Sequence, residues 1–129
     1  MAQRARALVI RVDDRPGMLG EITLALAAAN VNLRAVHGGN EGGQGILRLV
    51  VDQPGVAKRV LAERGWPPGE EEILEVELVD RTGALGEVAK LLGDARVNIR
   101  YVFVSTSGAK KVTAFLAVSD MEAALAAVR

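Results

Sequence analysis

Asp14, Arg15, Gly17, Met18 and Leu19 stand in the run Asp-Arg-Pro-Gly-Met-Leu-Gly-Glu. It recurs 66 positions later as Asp80-Arg81-Thr82-Gly83-Ala84-Leu85-Gly86-Glu87. In both copies a β-branched or alternating apolar run stops here and helical spacing begins. The free N–H groups of a helix's first turn, with the positive end of its dipole, attract a carboxylate or a phosphate. Asp14 or Asp80 would accept from an ammonium group, and Gly17 or Gly83, lacking a Cβ, would let a ligand approach the backbone. Such a set reads both charges of a free α-amino acid. A plainer reading explains the same residues: Asp caps the helix, Gly fits the turn, and Glu21 or Glu87 places negative charge in the first turn. The loop residues alone leave both open, and one loop can serve both ends.

A second pair lies further on. Val-Asn-Leu-Arg at residues 31–34 and Val-Asn-Ile-Arg at 97–100 open the next strand in each copy. Asn32 and Asn98 would offer an amide to a ligand, or they serve a helix-to-strand turn, where Asn tolerates left-handed backbone. Arg34 and Arg100 are expected on a solvated strand face.

These loops are positioned by a repeat. Residues 14–36 and 80–102 are identical at 12 of 23 positions, which makes the chain two similar units, expected over residues 5–69 and 70–129. In the first, residues 8–12 read as a strand. Met18, Ile22, Ala25 and Ala29 mark one helical face, 31–36 is a strand, 38–45 a glycine-dense flexible hairpin and 46–51 a continuous apolar strand. Residues 53–64 make a helix that stops at Gly65. The second unit repeats the order: Leu74, Val76 and Leu78 alternate with Glu75 and Glu77, a helix carries Leu85, Val88, Leu91 and Leu92, strands fall at 97–103 and 112–118, and a closing helix carries Met121, Leu125 and Val128. Each unit is therefore β-α-β-β-α, the leading part of a split βαβ arrangement. A fourth strand is hard to find. In unit one only residues 66–72 remain for it, with two prolines and three glutamates, and no residues are left for it in unit two. One long strand at about 70–79, shared between units, is expected, with further pairing from a partner chain.

Composition narrows the function. The 129 residues carry sixteen basic and sixteen acidic side chains, so no overall charge draws the chain to nucleic acid. The halves differ, nine Lys/Arg against six Asp/Glu in residues 1–65 and seven against ten in 66–129. There is no cysteine, which excludes disulfides, thiolate metal sites and Cys nucleophiles. His37 is the lone histidine and has no metal-type companion in sequence, so no metal site is expected. The 38–45 stretch lacks the Gly-Lys-Ser/Thr ending of a phosphate loop. Tyr101 and Phe103 are too few for base stacking. No motif positions a base beside Ser105, Thr106 or Ser107, so no catalytic residues are expected. With no charged-then-apolar leader and no apolar run of bilayer length, the expected location is the cytoplasm, with no membrane partner.

The combination of Asp-Arg-Pro-Gly-Met-Leu-Gly-Glu, a helix of about thirteen residues and Val-Asn-Leu-Arg resembles the ACT domain. The copy from Asp80 to Arg100 matches equally well, so the likeness extends over essentially the whole chain. It implies an α+β fold of two ferredoxin-like units in tandem, βαββαβ-type, with antiparallel sheets, helices on one face, and fourth strands weak or shared. It also implies a non-catalytic regulatory module without cofactor that binds a small ligand, most often an amino acid, between paired units. The strand-one/helix-one loops, Asp14, Arg15, Gly17, Met18 and Leu19 with Asp80, Gly83, Ala84 and Leu85, would hold the ligand together with Asn32 and Asn98. A homodimer, or a separate enzyme of amino-acid metabolism as partner, would receive the signal. Thr82 replaces Pro16 in the second loop, which loosens it and leaves the two loops inequivalent.

Overall fold

A computed structural model describes residues 1–106 and 108–129; Ser107, one of the hydroxyl residues considered above, lies outside the described residues. The chain runs β1 (Ala2–Val12), α1 (Met18–Ala28), β2 (Leu33–Glu41), β3 (Gln44–Val51), α2 (Pro54–Glu63), β4 (Gly69–Val79), α3 (Ala84–Asp94), β5 (Ile99–Thr106), β6 (Lys111–Val118) and α4 (Met121–Ala127). It divides into two compact units, Arg6–Glu71 and Met1–Ala5 with Glu72–Arg129.

The first unit is a four-stranded antiparallel sheet in the order β2-β3-β1-β4, with residues 69–71 of β4 at one edge. Its helices follow from local chemistry. Along α1, Met18, Ile22, Ala25 and Leu26 recur at helical spacing and are buried. The helix stops at Asn30, which adopts φ 61°, while Val31 N–H returns to the Leu26 carbonyl at 3.0 Å, a left-handed C-terminal closure. Pro54 sits at the start of α2, where its missing N–H costs nothing. The helical side chains close over Leu8, Ile10 and Val12 of β1 and Leu47, Leu49 and Val51 of β3.

The second unit has the same design, with order β1-β4-β6-β5 and residues 2–5 of β1 at the edge. Val88 and Leu92 of α3 pack with Leu74, Val76, Leu116 and Val118. Arg96 takes the left-handed place (φ 60°), and Val97 N–H bonds the Leu92 carbonyl at 2.9 Å. Both units are thus complete βαββαβ folds, α+β with antiparallel sheets.

The fourth strands bear out one expectation and add to it: β4 is the long strand expected at about 70–79, divided between the units at residue 71. Residues 69–72 are strand despite their glutamates, because basic side chains face them: Glu70 lies 3.1 Å from Lys58 and 3.3 Å from Arg6, and Arg48 Nε donates to Glu71 at 3.1 Å. The second unit's fourth strand comes from this chain. It is residues 2–5, ahead of the run of 8–12 where a first strand was expected to begin. Glu77 N–H bonds the Met1 carbonyl at 3.0 Å, and Gln3 Nε2 donates to Glu75 at 3.1 Å. Each of β1 and β4 therefore begins in one unit as its fourth strand and ends in the other as its first. The hairpin of residues 38–45 is also more regular than its glycines suggest, since β2 runs to Glu41, β3 begins at Gln44, and only Gly42 and Gly43 turn. No helix among the described residues is long and apolar enough to cross a membrane.

Candidate functional site

The loop after β1 is built by backbone rather than by a side-chain cap. Arg15 N–H bonds the Asp13 carbonyl at 3.0 Å, and the residue before α1 is Gly17 in left-handed conformation (φ 91°), with no side chain capping the helix. A Cβ at Gly17 would meet nothing within 4 Å, so glycine is needed here for its φ and not for space. Gly83 before α3 repeats this at φ 85°. Asp14 and Asp80 are therefore not helix caps, while the rest of the plainer reading holds: Gly17 and Gly83 fit the turn by their φ, and Glu21 and Glu87 lie in the first helical turns. A true cap exists elsewhere: Asp120 accepts from Ala123 N–H at 3.0 Å ahead of α4.

Instead, Asp14 reaches across to the β2–β3 hairpin, where its Oδ2 accepts from Asn40 Nδ2 at 2.6 Å. Asn40 Oδ1 in turn accepts from Gly43 N–H at 3.2 Å. Arg15 pairs with Glu21 at 3.0 Å, and Arg81 pairs with Glu87 in the second copy.

Between loop and hairpin the first unit opens a cleft of about 330 Å³. Asp13, Asp14 and Arg15 form its polar side. Gly17, Met18 and Leu19 bring the first turn of α1, and Val12, Ile46 and Leu47 make an apolar floor, with Gly38, Gly39 and Gly45 as the remaining wall. Five residues named from the sequence, Asp14, Arg15, Gly17, Met18 and Leu19, thus meet in one place. Met18 is buried and serves the core as well. The hairpin glycines and Asn40 read from the sequence first as a flexible connection and only second as a segment that closes over a ligand. The signal was present in the two glycines that pair into the sheet. A Cβ on Gly45 would lie 3.1 Å from Val12 Cγ2 and 3.3 Å from the Val12 carbonyl oxygen, and one on Gly38 would lie 3.0 Å from Leu47 Cδ2.

Asn32 is elsewhere. β2 pairs Leu33 with Val51 at one end and Asn40 with Gly45 at the other, which puts Asn32 about 20 Å from the cleft at roughly 3.3 Å per residue. Its backbone is engaged by Asp52: Asn32 N–H donates to the carboxylate at 3.0 Å, and Asp52 N–H returns to the Asn32 carbonyl at 3.1 Å. Asn98 is held the same way by Ser119, at 2.8 and 2.9 Å. The left-handed residue of each turn is Asn30 or Arg96, two positions earlier.

The second loop is surrounded differently. Asp80 N–H bonds the Lys110 carbonyl at 2.8 Å, and Ala84 N–H turns back to Arg81. A cavity of about 240 Å³ lies along α3, lined by Arg81, Ala84, Glu87, Val88 and Leu91 with Val128, and Asp80, Gly83, Leu85 and Asn98 are not part of its lining. Among the described residues no cluster of His, Asp and Glu could hold a metal ion.

Comparison with known proteins places this geometry. The model of the ACT domain matches residues 73–128. No curated protein matches the sequence. The solved structure of protein BT0572 from Bacteroides thetaiotaomicron is similar at TM-score 0.89 and 25% identity, covering 98% of this chain and 87% of that one. The ligand-free regulatory subunit of aspartate kinase from Thermus thermophilus shares the fold at TM-score 0.69 and 18% identity, covering 98% and 92%. The aspartokinase alpha and beta subunits do so at 0.67 and 22%, again covering 98% and 92%. The ACT domain match thus covers the second unit from residue 73 to 128, and residues 6–71 repeat the same order of strands and helices.

Proposed function

We propose that this chain is a non-catalytic regulatory protein that binds a free amino acid in the cleft of its first unit. The observation that carries this reading is the cleft itself. An uncapped first turn of α1 faces the same space as the Asp14 carboxylate, so N–H groups and helix dipole would receive the ligand's carboxylate while Asp14 receives its ammonium. A cleft of about 330 Å³ is at the small end of ligand sites, in keeping with a metabolite of amino-acid size. The protein would act in the cytoplasm and answer occupancy by changing its self-association or the activity of a partner. Thermal unfolding of the purified chain against each of the twenty amino acids at millimolar concentration tests it. A ligand at a hundred times its Kd adds about 2.7 kcal/mol and would move the midpoint by several degrees. A flat panel would remove the reading.

The fold shared with an aspartate kinase regulatory subunit over 98% of this chain supports a second reading, a subunit that regulates a separate enzyme of amino-acid synthesis without a ligand of its own. Co-purification with such an enzyme, unchanged by any amino acid, would favour it.

A further inference from the structure

The two loops repeat each other, but the walls beside them do not. In the first unit Val12 pairs with Gly45, Asn40 with Gly45 and Gly38 with Leu47. In the second, Leu78 pairs with Val112, Thr106 with Val112 and Val104 with Ala114. The registers correspond pair for pair, so Gly38, Asn40 and Gly45 answer to Val104, Thr106 and Val112. Residues opposite one another in an antiparallel pair project to the same face, and Leu47, whose face Gly38 and Gly45 share with Val12, is packed in the helix-covered core. Gly38 and Gly45 line the space between loop and hairpin, and Asn40 stands on the same face and bonds Asp14 at its side. In the first unit that space is open; in the second the corresponding positions carry two valines and a threonine, with Val104 and Thr106 exposed and Val112 half-buried.

We infer that the chain binds one amino acid per polypeptide, in the first unit only, and that the ligand carries a small aliphatic side chain. This rests on the amino-acid-binding reading above. Pairing of unlike walls with like loops means that occupancy is decided by Gly38, Asn40 and Gly45 and not by the shared Asp-Arg-x-Gly run. The aliphatic preference follows from the floor. Beyond the Asp13–Asp14–Arg15 side and the helix N–H groups, which the ligand's own charges would engage, the cleft meets the ligand with the floor of Val12, Ile46 and Leu47 and with Met18 and Leu19. Arg15, the cation beside it, is held by Glu21, so an acidic ligand side chain gains little, and a basic one would meet that apolar floor.

Isothermal titration of the full chain with L-valine and L-leucine, and separately with L-aspartate and L-lysine, tests this. One equivalent of valine or leucine per chain is expected, with at least tenfold weaker binding of aspartate and lysine. Gly38→Val, which writes the second unit's residue into the first, should weaken that binding at least tenfold. Its new Cβ meets only the end of the Leu47 side chain. Should that variant fail to fold, Asn40→Thr, at an exposed position, supplies the same comparison. Two equivalents per chain, full affinity in the folded variants, or preference for aspartate or lysine would overturn the inference and leave the amino-acid-binding function standing. Absence of binding by any amino acid would overturn both.

Discussion

Asp14 and Asn40, 26 residues apart, are joined by a 2.6 Å hydrogen bond from the asparagine amide to the carboxylate. The bond ties the loop that opens α1 to the hairpin that faces it. It occupies one carboxylate oxygen and aims the other, and Asn40 in turn holds Gly43 at the hairpin turn. The aspartate is thus oriented by a neighbour that only the folded sheet brings near.

This relationship predicts a separation of binding from stability. An exposed hydrogen bond contributes about 0.5–1.5 kcal/mol, so Asp14→Asn and Asn40→Ala should lower the unfolding midpoint only slightly. Asp14→Asn removes the charge that would face an ammonium group and should weaken amino-acid binding tenfold or more. Asn40→Ala keeps the charge but frees the carboxylate, and should have a smaller effect. Ligand-induced shifts in thermal unfolding check both; equal binding by Asp14→Asn and the parent chain would move the site elsewhere.

The borrowed fourth strand makes the N-terminal residues structural. Removing residues 1–5 leaves β4 without a neighbour on one side, and Glu77 N–H loses its acceptor at Met1. A few strand hydrogen bonds at about 1 kcal/mol each suggest a loss of roughly 2–4 kcal/mol. Hydrogen exchange should show the change first at Glu77, and then through residues 72–79. Unaltered exchange there would mean that the edge strand contributes nothing to the second unit.

The other borrowed edge has a pH signature. Glu70's carboxyl lies below its ordinary value of 4.5, chiefly through its hydrogen bond with Lys58, with Arg6 adding to it. A carboxylate depressed in the folded state stabilises the fold above its unfolded pKa, and that contribution is lost as pH falls through the folded value. Stability of the parent chain should therefore fall below about pH 4.5 more steeply than that of Glu70→Gln. Solvent at this exposed site keeps the difference small. Chemical unfolding between pH 7 and pH 3 measures it, and parallel curves would remove Glu70 from the account.

Much of this architecture was legible in the residues because the repeat is local. Met18, Ile22, Ala25 and Leu26 mark α1 by spacing alone, and residues 14–19 announce a loop in both copies. The strand at 69–79 was readable as shared, since helix and turn signals left it no other place. Residues 2–5 were not, because Gln3 and Arg4 carry no apolar alternation and find their partners only in Glu75 and Glu72, 72 and 68 positions away. The cleft was half legible. Its loop is a motif, but its glycine wall is defined by pairing of Gly38 with Leu47 and Gly45 with Val12, a relationship between segments that no spacing along one segment records. Asn32 was legible as a turn residue, one of the two roles its position allowed. It falls in the repeat because a backbone pairing with Asp52, mirrored by Asn98 and Ser119, recurs, and that requirement resembles a binding motif when only the sequence is visible.

The same turn supplies a last prediction. Asn30 and Arg96 close α1 and α3 in left-handed backbone, at φ 61° and 60°. Asparagine visits this region readily, whereas a residue such as arginine pays about 1–2 kcal/mol for it. Arg96 is exposed, so little packing offsets the strain. Glycine adopts the conformation without the Cβ penalty but makes the unfolded chain more flexible, which returns part of the gain. Arg96→Asn should stabilise the protein by about 0.5–1 kcal/mol, Arg96→Gly by no more than that, and Asn30→Gly should change little. Midpoints of chemical unfolding for the three variants decide it. If Arg96→Asn were no more stable than the parent chain, the arginine side chain must contribute contacts that outweigh the cost of its backbone.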